Sequence, residues 1–170
     1  EFSSGSTRKL GRISKKGESG ETIYVSQNYS VKNNSIESVH IFAGNTRVAT
    51  KLKTTDNGTT GTTPQDLGVY YFHPDHLGSS STVTDNNGKF TEHTEYFPYG
   101  EVWVTESADT DVTKLLPFKF TSKELDSETN LYYYGARYMD PRLGRWLSID
   151  PPLVNGEYLP TGDEERDADL

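Results

Sequence analysis

Between Thr121 and Pro151 the chain reads TSKELDSETNLYYYGARYMDPRLGRWLSIDP, and this stretch restricts the fold more than any other. Its centre is aromatic: Tyr132, Tyr133, Tyr134 and Tyr138, with Gly135 among them. Turn signals bracket these residues, DSETN (126–130) before and DPRLG (140–144) after. Aromatic side chains suit a pleated, half-buried surface, and Asp, Asn, Pro and Gly suit the tight turns between strands. The stretch therefore predicts strand, turn, strand, with Trp146 and Leu147 opening the second arm. It closes on Asp150, Pro151 and Pro152, because proline lacks the N–H that a central strand must donate.

Upstream the same grammar repeats. Residues 21–31 predict a strand, 32–35 a turn, 36–42 a returning strand, and 47–53 a third strand after a turn at 43–46. Residues 54–67 contain Gly58, Gly61 and Pro64 and no large hydrophobe before Leu67, which predicts an exposed loop. Beyond Gly68 the hairpins become regular, with strands over 69–72, 79–84, 89–97 and 101–105. Residues 106–114 read as a polar loop, 118–121 as a short strand and 122–128 as one helical turn. The corners ending in Gly78 (PDHLG) and Gly144 (DPRLG) look like two copies of one unit, each needing a neighbour to bury its face. No long amphipathic helical pattern interrupts them. The expected class is all-β, an antiparallel twisted sheet of consecutive hairpins.

Only 32 % of the 170 residues are hydrophobic, so any core is thin and leans on the 11 tyrosines. The absence of cysteine excludes disulfides, thiolate zinc sites and cysteine nucleophiles. No apolar run approaches the ~20 residues of a membrane-spanning helix. A net charge of −8 argues against a general nucleic-acid binder. The charge is uneven: Arg8, Lys9, Arg12, Lys15 and Lys16 lead in, while Asp163, Glu164, Glu165, Asp167 and Asp169 lead out. Solvated ends are the plain reading, and ends that attract each other or a neighbouring chain the sharper one. The opening Glu1–Ser6 has no methionine and reads as a cloning scar or linker. The expected division is a scar and basic lead-in (1–20), a β domain (21–152) and an acidic, flexible tail (153–170).

Several clusters invite chemistry. His73, Asp75 and His76 resemble metal ligands, but three groups on one tight turn rarely converge, which favours a turn with outward histidines. Ser79, Ser80 and Ser81 beside His76 lack a nucleophile elbow. Arg137 and Arg145 sit among aromatics, where stacking or pairing with Asp140, Asp126 or Glu124 is favoured over ligand recognition. Each cation–π contact supplies ~0.5–2 kcal/mol. No cofactor and no metal is expected.

Five segments, taken in order, carry a resemblance: AGNTRVA (43–49), DHLGS (75–79), YFPYG (96–100), LYYYGARYMDP (131–141) and LGRWLSIDP (143–151). Together they resemble the conserved core of the Rhs (rearrangement hot spot) or YD-repeat family, which ends in a pattern much like GLYYYGARYYDPxLGRFLSxDP. The matching positions include Asp75, His76, Leu77 and Gly78, then Tyr96 and Gly100. They continue with Tyr132, Tyr133, Tyr134, Gly135, Arg137, Tyr138, Asp140, Pro141, Gly144, Arg145 and Trp146.

The resemblance implies hairpins wound into a hollow shell around a toxic or variable C-terminal domain, in a secreted or cell-surface bacterial protein. Its implied partners are the remainder of the shell and that domain. An excised wall would also associate with itself through unpaired sheet edges. The family further implies an aspartyl autoprotease, with Asp150 as one of two carboxylates. Such chemistry needs one acid protonated beside one ionised. Ile149 stands where the family often has arginine, and no D-P-x-G motif follows Asp150. The expectation is thus a structural segment, with self-processing as the alternative. A third reading is an adhesin or carbohydrate-binding sheet, which predicts a row of aromatics on the solvent face.

Overall fold

The computed structural model describes residues 13–17, 20–44, 46–55 and 65–151, which build two antiparallel sheets. The larger has nine strands in strict sequence order. They are β1 (Ser14–Gly17), β2 (Gly20–Ser26), β3 (Tyr29–Lys32), β4 (Ile36–Ala43), β5 (Thr46–Thr54), β6 (Asp66–Pro74), β7 (Ser80–Thr84), β8 (Phe90–Tyr96) and β9 (Val102–Ser107). A one-turn helix, α1 (Thr110–Thr113), and a 3₁₀ turn (Phe120–Ser122) then carry the chain over one face of this sheet. Four short strands follow and pair in order: β10 (Glu124–Asp126), β11 (Leu131–Tyr133), β12 (Tyr138–Asp140) and β13 (Arg145–Trp146). The all-β expectation of consecutive hairpins holds.

Two hydrophobic clusters hold the sheets. In the first, Leu52, Tyr70, Phe72 and Val83 project from β5, β6 and β7 beneath Leu116, with Val112 and Leu115 alongside. Alternation places them: Tyr70 and Phe72 are buried while Tyr71 between them is exposed. In the second, Phe120, Tyr132 and Met139 pack with Tyr96, Leu125 and Tyr134, joining the small sheet to the large one. Each fully buried side chain of this size contributes about 1.5–3 kcal/mol.

Several local expectations are corrected. Residues 21–31 form two strands, because Gln27 and Asn28 turn the chain between β2 and β3, Asn28 Nδ2 donating to the His40 carbonyl at 3.0 Å. The basic lead-in contains a strand, β1, which pairs with β2. The polar stretch 106–114 is partly ordered: Asp109 caps α1, accepting from the N–H groups of Asp111 (3.0 Å) and Val112 (3.1 Å). Phe118 makes an isolated bridge with Glu124 instead of starting a strand, and the chain then turns through Thr121 (φ 47°) and Ser122 (φ 56°). In place of the helical turn expected over 122–128, residues Glu124–Asp126 form strand β10, paired with β11, and a turn follows. The first tyrosine arm is itself a hairpin, since Gly135 (φ 89°) reverses the chain and sets Tyr133 opposite Tyr138. Most of the loop expected over 54–67, residues 1–12 of the lead-in and the acidic tail lie outside the described residues.

Candidate functional site

Motif segments far apart in sequence meet at the seam between the two sheets. At the DHLGS corner, Asp75 Oδ1 accepts from the N–H groups of Leu77 (2.8 Å) and Ser79 (2.9 Å), which fixes the turn. Gly78 adopts φ 80°, and its carbonyl accepts from Ser122 Oγ at 2.7 Å, while Ser79 Oγ accepts from Thr121 N–H at 3.1 Å. His76 and Leu77 point outward, and His73 reaches Thr84 Oγ1 at 2.9 Å. Among the described residues no group of three or more His, Cys, Asp and Glu is arranged to hold a metal.

Tyr132 ties the seam, and Tyr96 braces its large-sheet side, with its ring 5.8 Å from that of Phe120. Tyr96 Oη donates to the Ser80 carbonyl at 2.8 Å, and Tyr132 Oη to the Gly100 carbonyl at 2.9 Å. Burial raises both phenols well above the ordinary tyrosine range, so they stay neutral donors. At Gly100 (φ 89°) a Cβ would lie 2.5 Å from the Phe120 ring, so only glycine fits. Tyr99 crosses Gly144 in the same way, 2.9 Å from where a Cβ would stand.

The small sheet closes on charged and aromatic contacts. Arg142 grips buried Asp140 (Nη2–Oδ2 2.9 Å) and holds its carboxyl below the usual range. Pro141 beside it is buried, and Arg145, opposite Asp140 in β13, is exposed. Arg137 Nη2 meets Asp150 Oδ2 at 3.0 Å, and its guanidinium lies 4.2 Å from the Trp146 ring centroid. Tyr134 stands edge-on to Trp146 at 4.9 Å and shares a 2.7 Å hydroxyl contact with Thr121. The expected stacking of Arg137 is therefore on tryptophan, and its acid is Asp150 instead of Asp140. Exposed aromatics gather near the β8–β9 turn, where Phe97 and Trp103 lie 6.0 Å apart.

Sequence reasoning missed a polar inner face on the large sheet. Glu92 of β8, 2 % exposed, pairs with Lys119 and accepts from Thr94 Oγ1 at 3.0 Å. Its signal was a charge at alternate positions with Thr94 and Tyr96 along one strand. Glu124 accepts from Tyr24 Oη at 2.6 Å and 2.7 Å, and Lys15 lies near Asp126 (3.1 Å), Glu128 (3.0 Å) and Glu124 (3.9 Å). At least one basic lead-in residue thus pairs with the acids of the small sheet.

Arg47 and His40 belong to this face as well. A bulge between Ile41 and Phe42 in the β4–β5 register swings Arg47 inward beside Thr50. Its guanidinium stacks 3.1 Å from the Phe118 centroid and 5.1 Å from that of Phe42. Burial draws Arg47 down to about 9, against the pull of Glu124, so it is charged at neutral pH. His40 lies between Thr50 Oγ1 (3.0 Å) and Ser30 Oγ (3.4 Å) with Phe118 edge-on at 5.1 Å. Burial, with Arg47 adding, lowers it to about 3.

A pH dependence follows. Below about pH 6.5 the unfolded chain protonates His40, while the folded chain refuses the proton until about pH 3. Stability contributed by neutral His40 is therefore lost as pH falls through that window, on the order of 5 kcal/mol at full effect. Urea unfolding between pH 7 and 4 should show a shallower fall in His40→Gln than in wild type. Equal slopes would exclude His40 as the cause.

Comparison with known proteins agrees with this architecture. Residues 9–161 match the Teneurin YD-shell family. The chain is 41 % identical over 83 residues to "Toxin subunit YenC1" of Yersinia entomophaga, covering 48 % of this chain and 8 % of that protein. It is 34 % identical over 91 residues to "tRNA nuclease WapA" of Bacillus subtilis, covering 53 % and 4 %, and 32 % identical over 88 residues to "Double-stranded DNA deaminase toxin A" of Burkholderia cenocepacia, covering 52 % and 6 %. The crystal structure of TcdB2-TccC3 shares the fold, with TM-score 0.64 at 24 % identity over 77 % of this chain and 6 % of that one. This chain spans less than a tenth of each of these proteins. It belongs to the Teneurin YD-shell family and is a segment of an Rhs-type shell.

Proposed function

We propose that this segment is part of a wall that encloses or presents a C-terminal toxin domain. The observation that best supports the reading is the large sheet. It is a run of nine strands with one face covered by its own chain. Its end strands, β1 and β9, each have a single neighbour in the sheet among the described residues. Such strands offer N–H and C=O groups that recruit further strands, as a piece of a longer wall would. The names of the relatives add to this: a toxin subunit, a deaminase toxin and a nuclease carry a similar segment within much longer chains.

The role is structural. The shared motif residues make joints, and Asp150 itself pairs with the Arg137 guanidinium at 3.0 Å. The partners are the rest of the shell and the enclosed domain, in a secreted or surface-exposed protein. No helix among the described residues is long and apolar enough to cross a membrane.

Light scattering on the isolated 170-residue chain should give a dimer or larger species, and a stable monomer would contradict open sheet edges. In the full-length protein, the C-terminal domain should resist protease in wild type and become cleavable when Tyr132→Ala opens the seam. Equal cleavage in both would rule out enclosure.

A further inference from the structure

Arg47 is 6 % exposed, yet among the described residues its Nε and Nη1 have no hydrogen-bond partner. Burying charged donors without an acceptor costs several kcal/mol, far more than two aromatic contacts return. Glu124 acts on Arg47 through space only, because Tyr24 Oη donates to both of its oxygens and Lys15 lies 3.9 Å from one of them. Arg47 lines a cleft of about 720 Å³ between the sheets, with its Nε and Nη1 buried just behind the wall. Its walls include Phe42, Phe118, Tyr24 and Tyr133, with Lys123 and Glu124 contributing charge. Two guanidinium nitrogens behind aromatic walls thus have no acceptor among the described residues.

We propose that the cleft is a receptor for carboxylate side chains on a peptide, anchored by Arg47, and that the acidic run Asp163–Asp169 of this chain supplies them. A guanidinium presents flat N–H pairs that match carboxylate oxygens, and aromatic walls strengthen the bond by excluding water. The run offers Asp163, Glu164, Glu165, Asp167 and Asp169. Connection is also favourable. Gly135 lines the cleft, and Arg137, two residues on and so within about 7 Å along the chain, holds Asp150. The residues from Pro151 to Gly162 reach up to about 40 Å when extended, ample to return to it. Lys123, whose Nζ lies 5.4 Å from the Tyr134 ring centroid, adds positive charge to the lining.

The test reads the Arg47 Nε–H directly by ¹H–¹⁵N NMR on the whole chain. In wild type this proton should be shifted downfield and slow to exchange. In a variant carrying D163N, E164Q, E165Q, D167N and D169N it should move upfield and exchange faster. A synthetic peptide of sequence TGDEERDADL, added to that variant, should restore the wild-type signal. In the same variant background, Arg47→Met should bind the peptide at least about tenfold more weakly, the loss of one charge-assisted bond. An Arg47 signal identical in wild type and the neutralised variant would overturn the assignment to this segment. Equal peptide affinity with and without Arg47 would overturn the site itself.

Discussion

Tyr132→Ala should destabilise the chain by about 3–5 kcal/mol and detach the small sheet from the large one. Tyr132 is 0 % exposed and packs with Phe120 and Met139, so truncation leaves a cavity at the centre of that cluster. It also removes the donor to the Gly100 carbonyl, in the turn that ends β8. Tyr132→Phe separates the two effects: it keeps the ring and loses the hydroxyl, at about 1 kcal/mol. Chemical denaturation of both variants is the measurement. A cost for the alanine variant no larger than for the phenylalanine variant would show that the ring does not hold the seam.

The second large effect concerns the buried pair beneath the crossover. Lys119→Met should destabilise by about 3–5 kcal/mol, because Glu92 would remain 2 % exposed with no cation beside it. Combining it with Glu92→Leu should recover most of that loss, since a pair replaced by apolar groups of similar volume leaves no orphaned charge. Thr94 Oγ1 donates to Glu92 and would lose that acceptor, which limits the recovery. A double variant as unstable as Lys119→Met alone would show that the methionine, and not the orphaned carboxylate, is responsible.

These effects explain what could be read from sequence and what could not. The hairpins of β7 and β8 were legible because their turn is local. Asp85 Oδ1 accepts from the N–H groups of Asn87 and Lys89, both at 2.8 Å, and Gly88 takes φ 76°. The turn at Gln27 and Asn28 was not, since it has neither glycine nor proline and its amide reaches the carbonyl of His40 on another strand. The crossover was harder still. Thr121 and Ser122 hold left-handed angles because Ser79 and Gly78, 42 and 44 residues earlier, supply their hydrogen-bond partners. Nothing local in TSKELDSE announces that. The acids of β10 favoured a helical turn by composition, and the strand wins because β11 pairs with it and Tyr24 and Lys15 take its carboxylates.

The motif residues were legible as a set, and their roles were not. DHLGS, YFPYG and the tyrosine run could be matched individually, yet only the fold shows that they converge on one seam. Arg47 lay inside a recognised segment, but its inward direction depends on a bulge that no propensity announces.

The strict sequential order of the nine strands has a mechanical consequence. Every pairing in that sheet joins neighbours along the chain, so its contacts are local and hairpins can zip one onto the next without long loop closures. Such a sheet also comes apart in order. Pulled from the β1 end, it would first have to release Lys15 and Tyr24 from the acids of the small sheet, and would then shed strands one after another. Resistance should rise again where His40 and Arg47 meet Phe118, and where Lys119 and the Gly78 corner fasten β8 and β7 to the returning chain. A wall of this design would yield in steps, each held by a different contact with the returning chain.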